Sequence, residues 1–216
     1  MAEFIVPNIK KSYVYQPNVL ECWAAVGLTL WRHKHGAKGS GNSLDELFRR
    51  SGGAQYTQIL DYIGLLNEEL GGGTDLSRLP AAEATVRAAH PRFRNTPSGL
   101  PATGANAFFT WLGCTSSSLN MIINGQGMKT IIREKGPVAI FTNNPGHLQI
   151  LVGYWEGDTP DTPQLILFNP ERYVLEMART GDPNINPANL REDRILWNHW
   201  INNYCGNLVD AKGWHF

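Results

Sequence analysis

Cysteine is scarce in this chain: Cys22, Cys114 and Cys205 are an odd number, with no Cys-x-x-Cys pair among them. A disulfide-stapled secreted domain carries an even and denser set, and a thiolate zinc site needs paired spacing, so neither is expected. Cys114 and Cys205 read as buried thiols, with a bridge between them as the alternative. An excess of either charge is also missing, since 19 Lys and Arg balance 19 Asp and Glu. Nucleic acid and anionic lipid are normally met by a basic stripe or cluster, so neither is an expected partner. No apolar run approaches the length of a transmembrane helix, and the opening Met1 to Lys11 lacks the basic-then-apolar order of a Sec signal. The expectation is a soluble protein, cytoplasmic or exported without a cleavable Sec signal. Internal repeats and low-complexity segments are absent too.

What is present is enough apolar sequence to build a core: 42% hydrophobic against 18% charged residues over 216 positions. That length suits one generous domain, 1–216, or two lobes around one cleft. Residues 1–18 read as an extended or irregular lead-in, broken by Pro7 and Pro17. From Cys22 to Gly36 the chain is apolar around most of a helical circumference and closes on basic residues and a glycine, which predicts a buried helix. Ser43 with Glu46 forms a capping box opening a short helix that carries Leu44, Leu47 and Phe48. Ile59, Tyr62, Ile63, Leu66 and Leu70 mark the face of a further helix that ends at Gly71, and residues 80–89 make a weaker, Ala-rich one. His90 to Gly104, rich in Pro and Gly, reads as a crossover.

The second half changes character. The runs 105–114 and 119–123 are compatible with helix or strand. Residues 128–135 look helical, and 138–142, 147–154 and 164–169 read as strands joined by polar turns, with 172–177 as a fourth. Helices first and antiparallel strands second make an α+β protein. The helical part covers about 19–100 and the β-rich part about 105–216.

Cys22 stands where the buried helix begins. A helix N-terminus lowers thiol pKa through its dipole and unpaired N–H groups, and those groups also face the oxyanion formed when a carbonyl is attacked. Gln16, six residues earlier across a Pro-containing turn, is positioned to add its side-chain amide as a second donor. His147 follows Asn-Asn-Pro-Gly and opens an apolar strand, so it is held rigidly at a strand mouth. The next strand ends in Phe168-Asn169-Pro170, where an Asn beside His147 would accept its ring N–H and set the tautomer. Asn143, Asn144 and Asp158 are the substitutes for that third position.

With these residues in view, Gln16-Pro-Asn-Val-Leu-Glu-Cys22-Trp23-Ala24 resembles the Gln-x5-Cys-Trp-Ala signature of papain-like cysteine peptidases. Gly136-Pro137-Val138, Gly146-His147 and Val152-Gly153-Tyr154 are similar to that family's strand, its catalytic-His strand and its trailing Val-Gly-Tyr. Phe168-Asn169-Pro170 resembles the third catalytic position. The resemblance covers the opening helix and residues 136–170. It lacks the propeptide, framework disulfides and Asn-Ser-Trp-Gly block of plant and lysosomal members, which points to bacterial effector proteases, toxins and leader-trimming peptidases. It implies a two-lobe papain-like fold with the cleft between lobes. Cys22 would be the nucleophile, His147 the base and acid, Asn169 the orienter and Gln16 the oxyanion donor, with no metal or organic cofactor. It also implies a protein substrate and, in the producer, an inhibitor or immunity partner.

The same thiol chemistry serves a transglutaminase or deamidase, and an inactive papain-fold binding module is a third reading. A cell-wall amidase of the NlpC type usually has a shorter Cys-to-His interval than Cys22 to His147. Other residues have plainer explanations. His33 and His35 lie two apart on a helix, so they face apart and read as a solvated helix end rather than a metal site. Trp23 is either cleft wall or core. Trp197 and Trp200 resemble a late packing element. Gly52-Gly53 fits either a helix stop or substrate-pairing glycines.

Overall fold

The structure is a computed structural model, and it describes residues 3–36, 43–119, 125–143, 146–156, 164–182, 184–186, 189–196 and 212–216. The helix α1, Cys22–His35, is buried without interruption from Trp23 to Leu30, as its apolar circumference predicts. Such a helix must be surrounded, and the rest of the chain packs around it. Gly27 lets α5, Ala102–Leu112, approach closely: a Cβ there would stand 2.6 Å from Phe108 Cζ. On another side α1 lies against the strand that carries His147.

Helices fill the first half. The Ser43 hydroxyl accepts the Glu46 N–H at 3.2 Å and opens α2, Leu44–Phe48, as the capping box predicts. Next come α3, Ala54–Glu69, and α4, Leu79–Ala89. Tyr62, Leu66, Leu70, Ala82, Val86 and Phe93 form a second apolar cluster between these helices, joined by Val19 from the turn before Cys22. The undecided run before Cys114 is the helix α5; most of the run 119–123 lies outside the described residues.

The second half, joined by one strand from the lead-in, forms an open antiparallel sheet of seven strands. Its elements are β1, Glu3–Ile5; β2, Thr115–Ser118; β3, Val138–Asn143; β4, Gly146–Trp155; β5, Gln164–Phe168; β6, Asp193–Leu196; and β7, Lys212–His215. Helix α6, Gly125–Lys135, precedes β3. The strand order is β2-β7-β3-β4-β5-β6, with β1 paired to the far end of β4. Strand β3 covers Gly146 to Leu151 of β4, and β1 continues the same edge from Gly153 to Trp155. Gly153 makes that pairing feasible, because a Cβ there would stand 2.2 Å from the Phe4 carbonyl oxygen. An α+β architecture with this sheet agrees with the expected class.

One expected element is corrected. Residues 172–177 are not a strand but part of α7, Arg172–Thr180. The Asn169 side-chain oxygen accepts the Glu171 N–H at 3.0 Å, and the Asn169 carbonyl accepts the Arg172 N–H at 3.2 Å. These bonds turn the chain into a helix and override the β preference of Tyr173-Val174. Among the described residues no helix is long and apolar enough to cross a membrane.

Candidate active site

The lead-in is tied down before the helix begins. Tyr13 stacks on Phe168 with ring centroids 4.0 Å apart, and its hydroxyl donates to Glu192 at 3.1 Å. The Val14 N–H donates to Thr29 of α1 at 3.0 Å. The Gln16 N–H then donates to the Pro170 carbonyl at 3.0 Å, joining the turn before Cys22 to the turn after Asn169 by main chain alone. Asn67, buried on α3, donates to the Val19 carbonyl at 3.3 Å and holds the same turn from the other side. Leu20 adopts a left-handed φ of 71°, uncommon for a branched side chain, and this reverses the chain into α1.

His147 and Asn169 are brought together: His147 Nε2 lies 2.9 Å from Asn169 Oδ1. The polarity of that bond follows from its neighbour. The Glu171 N–H, which can only donate, points at the same Asn169 atom, so that atom is the amide oxygen and the ring nitrogen facing it carries a proton. In the neutral ring Nδ1 is then the accepting nitrogen. Asn169 Nδ2 donates to Asp193 of β6 at 3.4 Å, and Asp193 also pairs with Arg172, so the amide that meets the ring is held from its other end. The Glu171 carboxylate stands 4.0 Å from His147 Nε2. The side chain of Asn143 and all of Asn144 and Asp158, the substitutes for Asn169, lie outside the described residues. Nothing in the sequence flagged Asp193 or Glu171, because each acts through the fold rather than through a local motif.

Cys22 is half-buried at the head of α1, and the Leu148 N–H, next after His147 in β4, bonds to its thiol. The expected low thiol pKa is not found: burial pushes it up to about 11. The N–H groups of Leu148, Trp23 and Cys22 itself pull it down, but burial and the Glu171 charge outweigh them. At neutral pH the resting sulfur is therefore a thiol. Alkylation of Cys22 by iodoacetamide is expected to quicken about tenfold per pH unit from neutral pH and to level off only near pH 11. Glu171→Gln removes a charge that raises the pKa, so the levelling should move to lower pH. A plateau already present at neutral pH in the wild type would contradict this.

Gln16 is 1% exposed, and its side-chain N–H donates to the Asn18 carbonyl at 2.9 Å, inside the turn. A primary amide carries a second hydrogen besides the one in this bond. Glu21, 6% exposed, accepts from Asn18 at 3.2 Å, and burial holds its carboxyl above the usual range. Trp23 is core rather than cleft wall: it is 1% exposed and packs against Phe48, Tyr56 and Phe108. Gly52 and Gly53 form the tight turn between α2 and α3, Gly52 at a φ of 81° and Gly53 too close to the Phe48 carbonyl to carry a Cβ. His35 lies against Trp31 with ring centroids 3.9 Å apart and the planes tilted by 34°. Cys114 is a buried free thiol; Cys205, Trp197 and Trp200 lie outside the described residues.

Comparison of the chain with protein-family models, with curated proteins and with solved structures returned no match.

Proposed function

We propose that this protein is a papain-like cysteine peptidase of the bacterial effector or toxin type, with its cleft between the helical half and the sheet. The observation that carries the reading is the hydrogen bond from His147 Nε2 to Asn169 Oδ1, on the strand whose next N–H meets the Cys22 thiol. This reading makes His147 Nδ1 the base for that thiol.

Because the resting sulfur is protonated, attack and proton transfer go together. Sγ of Cys22 bonds to the carbonyl carbon of the substrate as its proton passes to His147. The oxyanion is met by the Cys22 N–H and the Gln16 amide. The C–N bond then breaks, His147 returns the proton to the leaving amine, and a thioester remains on Cys22. Water, deprotonated by His147, attacks the thioester; the acid leaves and the proton returns to sulfur. The ring that becomes imidazolium twice in this cycle lies 4.0 Å from the Glu171 carboxylate. A peptidase of this type has a protein as substrate and calls for an inhibitor or immunity partner in the cell that makes it.

The test is to incubate wild type and Cys22→Ala with a proteome and map new peptide termini by mass spectrometry. A set of cuts made by the wild type and absent with Cys22→Ala is expected. Identical termini in the two samples would refute peptide hydrolysis. Intact chains whose glutamines have become glutamates, or have been joined to amines, would assign the thiol to deamidation or transglutamination.

A further inference from the structure

A groove of about 530 Å³ runs between α3, the crossover 91–101 and α5. Its floor is apolar, supplied by Tyr56, Ile59 and Leu100. Its wall is a built structure: Gln58 of α3 donates to the Arg92 carbonyl at 3.3 Å and to the Thr96 hydroxyl at 3.1 Å. Arg87 donates to the Thr96 carbonyl at 3.3 Å, and Phe93 is buried against Tyr62. This anchoring fixes the two guanidinium-bearing residues of the wall, Arg92 and Arg94, at the groove.

The charge is one-sided. Among the described residues no carboxylate lines the groove, and neither Arg92 nor Arg94 has an ion pair; Arg92 lies over the Phe93 ring, its guanidinium carbon 4.5 Å from the centroid. In a chain whose formal charge is zero, two unneutralised cations over an apolar floor form a local preference. Gln55 and Asn95 add amides, which match the donors and acceptors of a peptide backbone. Two arginines are few for a polynucleotide, whose binding rests on many phosphate contacts. The crossover that supplies this wall also approaches the turn before Cys22: at Gly99, between the lining residues Pro97 and Leu100, a Cβ would stand 3.8 Å from the carbonyl oxygen of Leu20.

We propose that this groove binds an acidic, partly apolar stretch of polypeptide next to the bond attacked at Cys22, and so selects substrates by carboxylates flanking the scissile bond. Substrate selection rests on the peptidase reading; the groove's preference for an acidic peptide does not.

The experiment uses the full chain carrying Cys22→Ala, which binds without turnover. Fluorescence anisotropy is read with a labelled Glu/Leu peptide and with the same peptide carrying Gln or Lys in place of every Glu. The Glu peptide is expected to bind about tenfold more tightly than the Gln peptide at low salt, the scale of two exposed ion pairs. That advantage should vanish in Arg92→Ala/Arg94→Ala, and Arg92→Glu/Arg94→Glu should prefer the Lys peptide, with circular dichroism verifying the fold of each. Equal binding of the Glu and Gln peptides, an advantage that survives the double alanine variant, or no binding at all would overturn the proposal. Tighter binding of a single-stranded oligonucleotide than of the Glu peptide would overturn it in favour of a polynucleotide site. Because none of these readouts needs catalysis, a failure here is distinct from a failure to find Cys22-dependent cuts.

Discussion

His147→Ala is expected to cut the rate of peptide hydrolysis by at least about 10⁴-fold while the protein still folds. On the proposed mechanism the variant removes the group that takes the thiol proton, and a thiol held near 11 leaves only about one part in 10⁴ as thiolate at neutral pH. The loss should lie in turnover rather than in substrate affinity, since the ring acts on reacting atoms. The measurement is a progress curve on whichever peptide the terminal mapping identifies, alongside a thermal melt. A variant that keeps a tenth of wild-type turnover would remove His147 from the mechanism, and with it the role given to Asn169, which acts through the ring alone. The folding half of the expectation rests on position: the His147 side chain is 11% exposed at the mouth of β4, not in its packed interior.

Trp23→Ala is expected to produce the opposite pattern, a large loss of stability. Its ring lies against three others, with centroids 5.5 Å from Phe48, 6.1 Å from Tyr56 and 5.1 Å from Phe108. These residues join α1 to α2, α3 and α5, so truncation leaves a cavity where four helices meet. A loss of roughly 3–5 kcal/mol follows from large-to-small core replacements. For a chain of this size that corresponds to a melting temperature lower by about 6–20 °C. Differential scanning calorimetry measures it. A shift of only a degree or two would mean that the site collapses around the gap or that the ring contributes little.

The parts of the fold that were legible in the sequence are those with a local cause. The Cys22 helix announces itself by eight successive residues that are apolar or small, the capping box at Ser43 by two side chains three apart, and β3, β4 and β5 by apolar runs between turn residues. What could not be read depends on partners distant in the chain. Strand β2 is a polar Thr-Ser-Ser-Ser run with no strand signal of its own; β7, about a hundred residues later, pairs with it and so makes it a strand. Helix α7 reads as a strand in sequence because Tyr173-Val174-Leu175 favours extended backbone, whereas its direction is set by Asn169.

The candidate site divides in the same way. Cys22, His147, Asn169 and Gln16 stand in motifs with recognisable spacing. Asp193, which holds Asn169, and Glu171, which faces His147, enter only through the sheet and the turn. The thiol illustrates the limit most sharply. A helix N-terminus argues for a low pKa, and that argument is sound in its sign, but how deeply the sulfur is buried is a property of the whole packed chain and decides the outcome.

The bond from the Gln16 N–H to the Pro170 carbonyl has a further consequence for how such a crevice can vary over time. Since peptide groups make it, it tolerates any residue at position 16 except proline, which lacks the hydrogen. Lineages are therefore at liberty to rewrite the side chain at position 16 while inheriting this tie unchanged, and a bench chemist has the same liberty: swapping Gln16 removes its amide and that amide's bond to the Asn18 carbonyl but leaves the main-chain tie to Pro170 in place.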